Sequence, residues 1–288
     1  MPAPAPGRRR VPGAVLLLVS MALLHTGSAL ATELFRSLGP AGTTWLRLTF
    51  AAGVLLAFTG RSLGRTLRAA SRRDVLATVL LGAVSAGMML LFSEAAARLP
   101  LGTATALEFL GPLAVAVAAS KRRAELGWLA LAAGGVLLLT SPWTGTAGPA
   151  GVLFGLGAGA CWALYVLGTA HVGSRFPAAH GLAVSLTVAS LVAAPFGVPG
   201  VVGHLTWGGV AAVAGIAVLM PLVPFLLEMR ALQRLGATAY GTLAGLEPAV
   251  SLLAGMVLVA QTPTAVQAAG TALVVAAGIG AARREGRR

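Results

Sequence analysis

Leu227-Glu-Met-Arg-Ala-Leu-Gln-Arg-Leu-Gly-Ala-Thr-Ala-Tyr-Gly-Thr-Leu-Ala-Gly-Leu-Glu247-Pro248-Ala249 ends one hydrophobic segment, turns through a short basic stretch and starts another. Glu247 stands eleven residues past Gly236. At ~1.5 Å rise per residue that is roughly 16 Å of helix, near the middle of a hydrocarbon core about 30 Å thick. A carboxylate at that depth costs about 2.5–3.5 kcal/mol on insertion scales. Pro248 removes one helical hydrogen bond and frees the carbonyl of Ala244. A broken helix beside a buried acid lines a cavity rather than facing lipid.

The arrangement occurs a second time, 136 positions upstream, in Arg98-Leu-Pro-Leu-Gly-Thr-Ala-Thr-Ala-Leu-Glu108-Phe-Leu-Gly-Pro112. Arg98 matches Arg234, Leu99 matches Leu235, Leu107 matches Leu243 and Pro112 matches Pro248. Here the carbonyl freed by the proline belongs to Glu108 itself. Two broken helices, each with an acid beside the break, point to one site shared by two halves.

The rest of the chain fits a membrane setting. Of 288 residues, 57% are hydrophobic and 10% charged, where a soluble domain carries about 25% charged residues. The net charge of +13 would suggest nucleic acid in a soluble protein. Here the basic residues sit in loops and tails, which implies membrane orientation and no nucleic-acid partner. A single cysteine, Cys161, excludes a disulfide framework. The four histidines show no metal-ligand spacing. His-Glu-x-x-His, Gly-x-Ser-x-Gly and Walker motifs are absent, so neither an enzyme nor a metal or cofactor site is expected.

Ten apolar runs are expected as spans, at about 11–31, 43–60, 75–93, 101–120, 126–141, 151–168, 179–197, 207–227, 236–260 and 265–282. The first has a basic start and ends in Ala29-Leu30-Ala31, as a secretory signal would. Its length and its repeat counterpart at 151–168 favour a retained span. With the N-terminus inside, the inner loops and tails hold eighteen basic residues, among them Arg61, Arg65, Arg68, Arg72, Arg73 and Lys121 to Arg123. The outer loops hold only Arg36 and Arg98. That bias places both termini in the cytoplasm. The offset maps spans one to five onto six to ten, and five is odd, so the second half must be inverted. The expected fold is therefore an all-α membrane protein of ten helices in two inverted five-helix repeats. They occupy 11–141 and 151–282, with tails at 1–10 and 283–288. Inverted repeats with broken helices mark a secondary transporter.

Several residues are candidates for its chemistry. Tyr240, Ala244, Glu247 and Ser251 share one helix face, a stripe able to line a polar path. Glu108 shares a face with Thr105, Gly111 and Pro112. Met21, His25, Ser28 and Thr32 share another; a histidine there is able to titrate near neutral pH, the alternative being a neutral histidine bonded to a neighbouring helix. Arg47, just inside the outer end of span two, is placed to pair with an acid or a substrate carboxylate, or to snorkel outward. Trp162 and Tyr165 form either a substrate wall or packing. Glu228, Arg230 and Arg234 form an inner rim. Glu94 is expected at the interface without a role. For some of these acids and aromatics the alternative is a purely structural part.

Leu107-Glu108-Phe109-Leu110-Gly111-Pro112-Leu113, Gly157-Ala-Gly-Ala-Cys-Trp162-Ala-Leu-Tyr165, Leu227-Glu228-Met229 and Leu246-Glu247-Pro248-Ala249 resemble the EamA-type branch of the drug/metabolite transporter superfamily. Within it they are most similar to the threonine/homoserine exporter group of bacterial inner membranes. The resemblance runs from about Val15 to Ala281. It implies ten helices, a central cavity and export of amino acids or related metabolites, coupled to protons. Glu108, Trp162, Tyr165, Glu228 and Glu247 fall in the matching motifs. Ser93-Glu94 departs from the group, where an aromatic and an apolar residue are usual, which bears on the substrate. A multidrug exporter of the same fold is the nearest alternative. A membrane enzyme acting on lipid-linked substrates is a further one, disfavoured by the missing motifs.

Overall fold

The computed structural model describes residues 12–120, 126–141, 148–173, 175–235, 240 and 243–285. The tail at 1–10, the basic turn Lys121-Arg122-Arg123, the turn at 236–239 and the closing Arg287 and Arg288 lie outside them. The described regular structure is all helical, in chain order α1 (Gly13–Ala69), α2 (Arg72–Ala96), α3 (Leu101–Ser120), α4 (Leu126–Thr140), α5 (Pro149–Gly173), α6 (Ala178–Val201) and α7 (Trp207–Ala217). After a π-helical turn (Val218–Leu222) come α8 (Val223–Leu235), α9 (Glu247–Leu258) and α10 (Ala265–Glu285).

Among the described residues seven stretches are long and apolar enough to cross a membrane: Gly13–Gly60, Arg72–Ala96, Leu101–Ala118, Pro149–Thr169, Ala179–Val201, Trp207–Phe225 and Ala265–Arg283. Leu126–Thr140 and Glu247–Leu258 are apolar but shorter. The protein is therefore a multi-pass membrane protein, as its composition required.

Glycine and proline set the joints. Gly39, with φ 69° and ψ 162°, interrupts α1, and Pro40 restarts it. That backbone suits a residue without Cβ, and proline is preorganised for a first helical turn. Gly60, with φ 34°, interrupts α1 again at its far end. Beyond it, Leu63 is buried while Arg65 and Arg68 are exposed. His180, near the start of α6, ties this last piece down, accepting or donating at Ser62 (3.0 Å) and Thr66 (2.9 Å).

Lipid tails are as apolar as leucine, so close backbone approach and polar ties hold such helices together. Two helix crossings show that rule. A Cβ on Gly135 of α4 would lie 2.6 Å from Gly270 O of α10, and the converse distance is also 2.6 Å. A Cβ on Gly111 of α3 would lie 1.8 Å from Gly159 O of α5. Only glycine admits these crossings. Leu107, Leu113, Val136 and Val274 fill the space among α3, α4 and α10.

The prolines behave differently from the expectation. Pro112 was expected to break its helix, but α3 runs through it from Leu101 to Ser120. The physical reason is that one lost hydrogen bond is tolerated when the freed carbonyl is covered. A Cβ on Gly159 would sit 2.9 Å from Glu108 O, so the α5 backbone lies against that carbonyl. At Pro248 a helix begins instead: α9 starts at Glu247, with the proline in its first turn, where no N–H is needed. A further break, unforeseen from sequence, falls at Met220, whose φ −158° and ψ 110° are extended backbone inside the π-helical turn.

Candidate functional site

Helix α9 begins at the acid. Glu247 occupies its first turn and is only 8% exposed. The partial positive charge at a helix N-terminus favours a carboxylate there, while the apolar surroundings oppose its charged form. Four residues on, Ser251 is fully buried and shares a hydrogen bond with Thr105 of α3 (2.7 Å). Thr105 lies one turn before Glu108, so the two faces expected from sequence meet each other.

The third acid comes from α8. Glu228 is half-buried, and its Oε1 accepts a hydrogen bond from Ser20 of α1 (3.1 Å), whose hydroxyl also reaches Pro224 O (3.0 Å). Sequence grouped Glu228 with Arg230 and Arg234 as a rim. In the structure those two arginines are exposed, and Glu228 turns toward the other acids. Glu247 is within electrostatic reach of both Glu228 and Glu108. Tyr240 senses Glu228, Glu247 and Tyr165, and Tyr165 senses Glu228. Three carboxyl groups and two phenols thus converge from α3, α5, α8, α9 and the segment before α9.

Trp162 forms one wall. It is half-buried and packs edge-on against Phe109, with ring centroids 6.2 Å apart. Both aromatics neighbour Glu108 along the α3–α5 crossing, and the contact shown is packing.

His25 and Arg47 are set apart from the acids. Arg47 does not snorkel: it is 2% exposed, and its Nη1 donates to Met220 Sδ at 3.3 Å. Ser28 donates to the same sulfur at 3.1 Å. His25 is 3% exposed, one turn before Ser28 on α1. Thr44, one turn before Arg47, is bonded to Ser93 of α2 (2.6 Å). Glu94 forms an exposed ion pair with Arg98, as its interfacial position suggested. A recess of about 350 Å³ lies away from both groups, where the start of α3 meets the end of α9, lined by Pro100, Thr103, Met256, Gln261 and neighbours.

Sequence reasoning missed Ser20, Thr44 and Met220. The run Met220-Pro221-Leu-Val-Pro224 within an apolar segment was the available signal for the last. Ser20 and Thr44 carried no signal beyond being hydroxyls in apolar helices. Among the described residues no group of His, Cys, Asp and Glu could hold a metal ion.

Apolar helices of membrane-crossing length around a buried acidic cluster are the makings of a membrane transport protein. The chain belongs to the EamA-like transporter family, whose model matches residues 149–282. It is 37% identical over 275 residues to the threonine/homoserine exporter RhtA of Escherichia coli strain K12, covering 92% of this chain and 90% of that one. The protein of the same name from Salmonella typhimurium strain LT2 is 37% identical over 273 residues, with the same coverage. A solved crystal structure, 21% identical, shares the fold with a TM-score of 0.59, covering 95% of this chain and 99% of its own. The family consists of transporters, so the protein is not an enzyme.

Proposed function

We propose that the protein exports threonine- or homoserine-like amino acids from the bacterial cytoplasm by proton antiport. The observation that carries this reading is the convergence of Glu108 and Glu228, both half-buried, with the buried Glu247 beside Tyr165 and Tyr240. An amino acid's ammonium and a proton compete for such a cluster, and competition for one site is the simplest basis of antiport. The relatives named as threonine/homoserine exporters supply the substrate class.

The proposed framework has ten spans, with repeats at 11–141 and 151–282 in opposite orientation and both termini cytoplasmic. Two features support it. At 48 residues, Gly13–Gly60 is about 72 Å of helix, twice a hydrocarbon core, and Gly39 divides it near its middle. Packing is also reciprocal. A Cβ on Gly13 would lie 2.8 Å from Leu235 and 3.0 Å from Arg234, and one on Gly151 would lie 2.8 Å from Leu99 and 3.1 Å from Arg98. Leu99 and Arg98 are the repeat counterparts of Leu235 and Arg234, so the start of each half packs on the matching turn of the other.

The test is efflux. Cells expressing the protein should release more threonine and homoserine, and tolerate more of either, than cells without it. Unchanged efflux of every amino acid tried, with release of a cationic dye instead, would favour the multidrug reading.

A further inference from the structure

Among the described residues Arg47 has no acid to neutralise it. Its Nη1 donates to the sulfur of Met220, while Nε and Nη2 have no hydrogen-bond partner among the described residues. Both ring nitrogens of the buried His25 are likewise unpartnered. Burying a guanidinium is costly unless an anion meets it. Three further observations say where that anion sits. Arg47 and Ser28 both touch Met220. Met220 is the extended residue that breaks its helix, and discontinuous helices near mid-membrane are where transporters bind substrate. The buried Thr44–Ser93 pair lies one turn from Arg47, adding hydroxyls to the same region.

We propose that Arg47 holds the α-carboxylate of the exported amino acid, with His25 as a neighbouring donor. This rests on the export reading above and goes beyond it. Arg47 answers the carboxylate of a zwitterion at one point of its path, and the separate acidic cluster answers the ammonium at another. The planar fork of arginine matches a carboxylate through two parallel N–H donors, and Nε with Nη2 is such a pair. The site then rejects amines that lack a carboxylate, which the acids alone would accept.

The experiment is counterflow in vesicles reconstituted with the full chain. Labelled threonine is competed by unlabelled threonine and by 1-amino-2-propanol, the same molecule without its carboxylate. Wild type should favour threonine. In Arg47→Gln its affinity should fall about 10- to 100-fold, the range for charged hydrogen bonds, and the preference over the amine should vanish. Arg47→Lys keeps the charge but loses the fork, so the preference should shrink without disappearing. An unchanged preference in Arg47→Gln overturns the proposal. Should that variant not fold, an unchanged preference in Arg47→Lys overturns it equally. Repeating the assay with gluconate for chloride distinguishes an inorganic anion. An Arg47 effect that exists only in chloride would assign the site to chloride and overturn the carboxylate reading. Wild-type vesicles that exchange no amino acid would instead overturn the export reading itself.

Discussion

The α3–α5 crossing fixes where Glu108 stands, and one methyl group should displace it. A Cβ on Gly111 would lie 1.8 Å from Gly159 O, whereas real Cβ atoms essentially never come within 3.0 Å of another atom. The two helices must therefore separate by at least about 1.2 Å, the difference of those distances. The obstacle is backbone, so no rotamer change relieves it. Overpacking costs typically 1–3 kcal/mol, and this contact belongs at or above the upper end. At about 2–4 °C per kcal/mol for a chain of this size, Gly111→Ala should melt roughly 6–12 °C lower in thermal unfolding of the purified protein. Threonine transport should fall with it, because α3 carries Glu108 and α5 carries Trp162 and Tyr165. The control is Gly134→Ala on α4, where an added Cβ meets nothing within 4 Å. That change should be neutral, or stabilising by up to about 1 kcal/mol through helix propensity. If Gly111→Ala melts and transports like wild type, the helices are not in contact there and the packing argument fails.

Further outcomes follow from the acids and the charges. Glu247→Gln and Glu108→Gln should separate proton coupling from exchange: the proton carrier, once neutralised, loses pH-driven transport in vesicles and keeps counterflow. Full pH-driven transport in both variants would remove these two acids from the coupling and direct attention to His25. Ser20→Ala strips Glu228 of its α1 donor and leaves Pro224 O without that hydroxyl. It should cost about 1–3 kcal/mol, read as a lower melting temperature, and an unshifted melt would mean water replaces the hydroxyl. Reporters active on one side only, fused to the C-terminus and to the loop after Pro142, should find the C-terminus cytoplasmic and the loop outside. A periplasmic C-terminus would contradict the eighteen-to-two charge bias.

Membrane insertion and the helical class were determined by the sequence alone. Without water in the hydrocarbon core, apolar runs of spanning length must satisfy their backbones as helices, and that follows from composition and length. The proposed repeat rests on sequence register, in which Leu107 matches Leu243. The faces of Glu108 and Glu247 were also legible, since helical periodicity puts Thr105 and Ser251 beside them. Tertiary packing decided the rest. Pro112 and Pro248 look alike in sequence, yet one lies within an unbroken helix and the other opens one. At Pro112 the α5 backbone lies against the freed carbonyl at Gly159. The break at Met220, the passage of Glu228 from rim to acidic cluster, and the burial of Arg47 are likewise properties of neighbours. A sequence states what each residue is able to do. Only the packed helices determine which group stands opposite it, and for a buried charge that partner sets both its cost and its use.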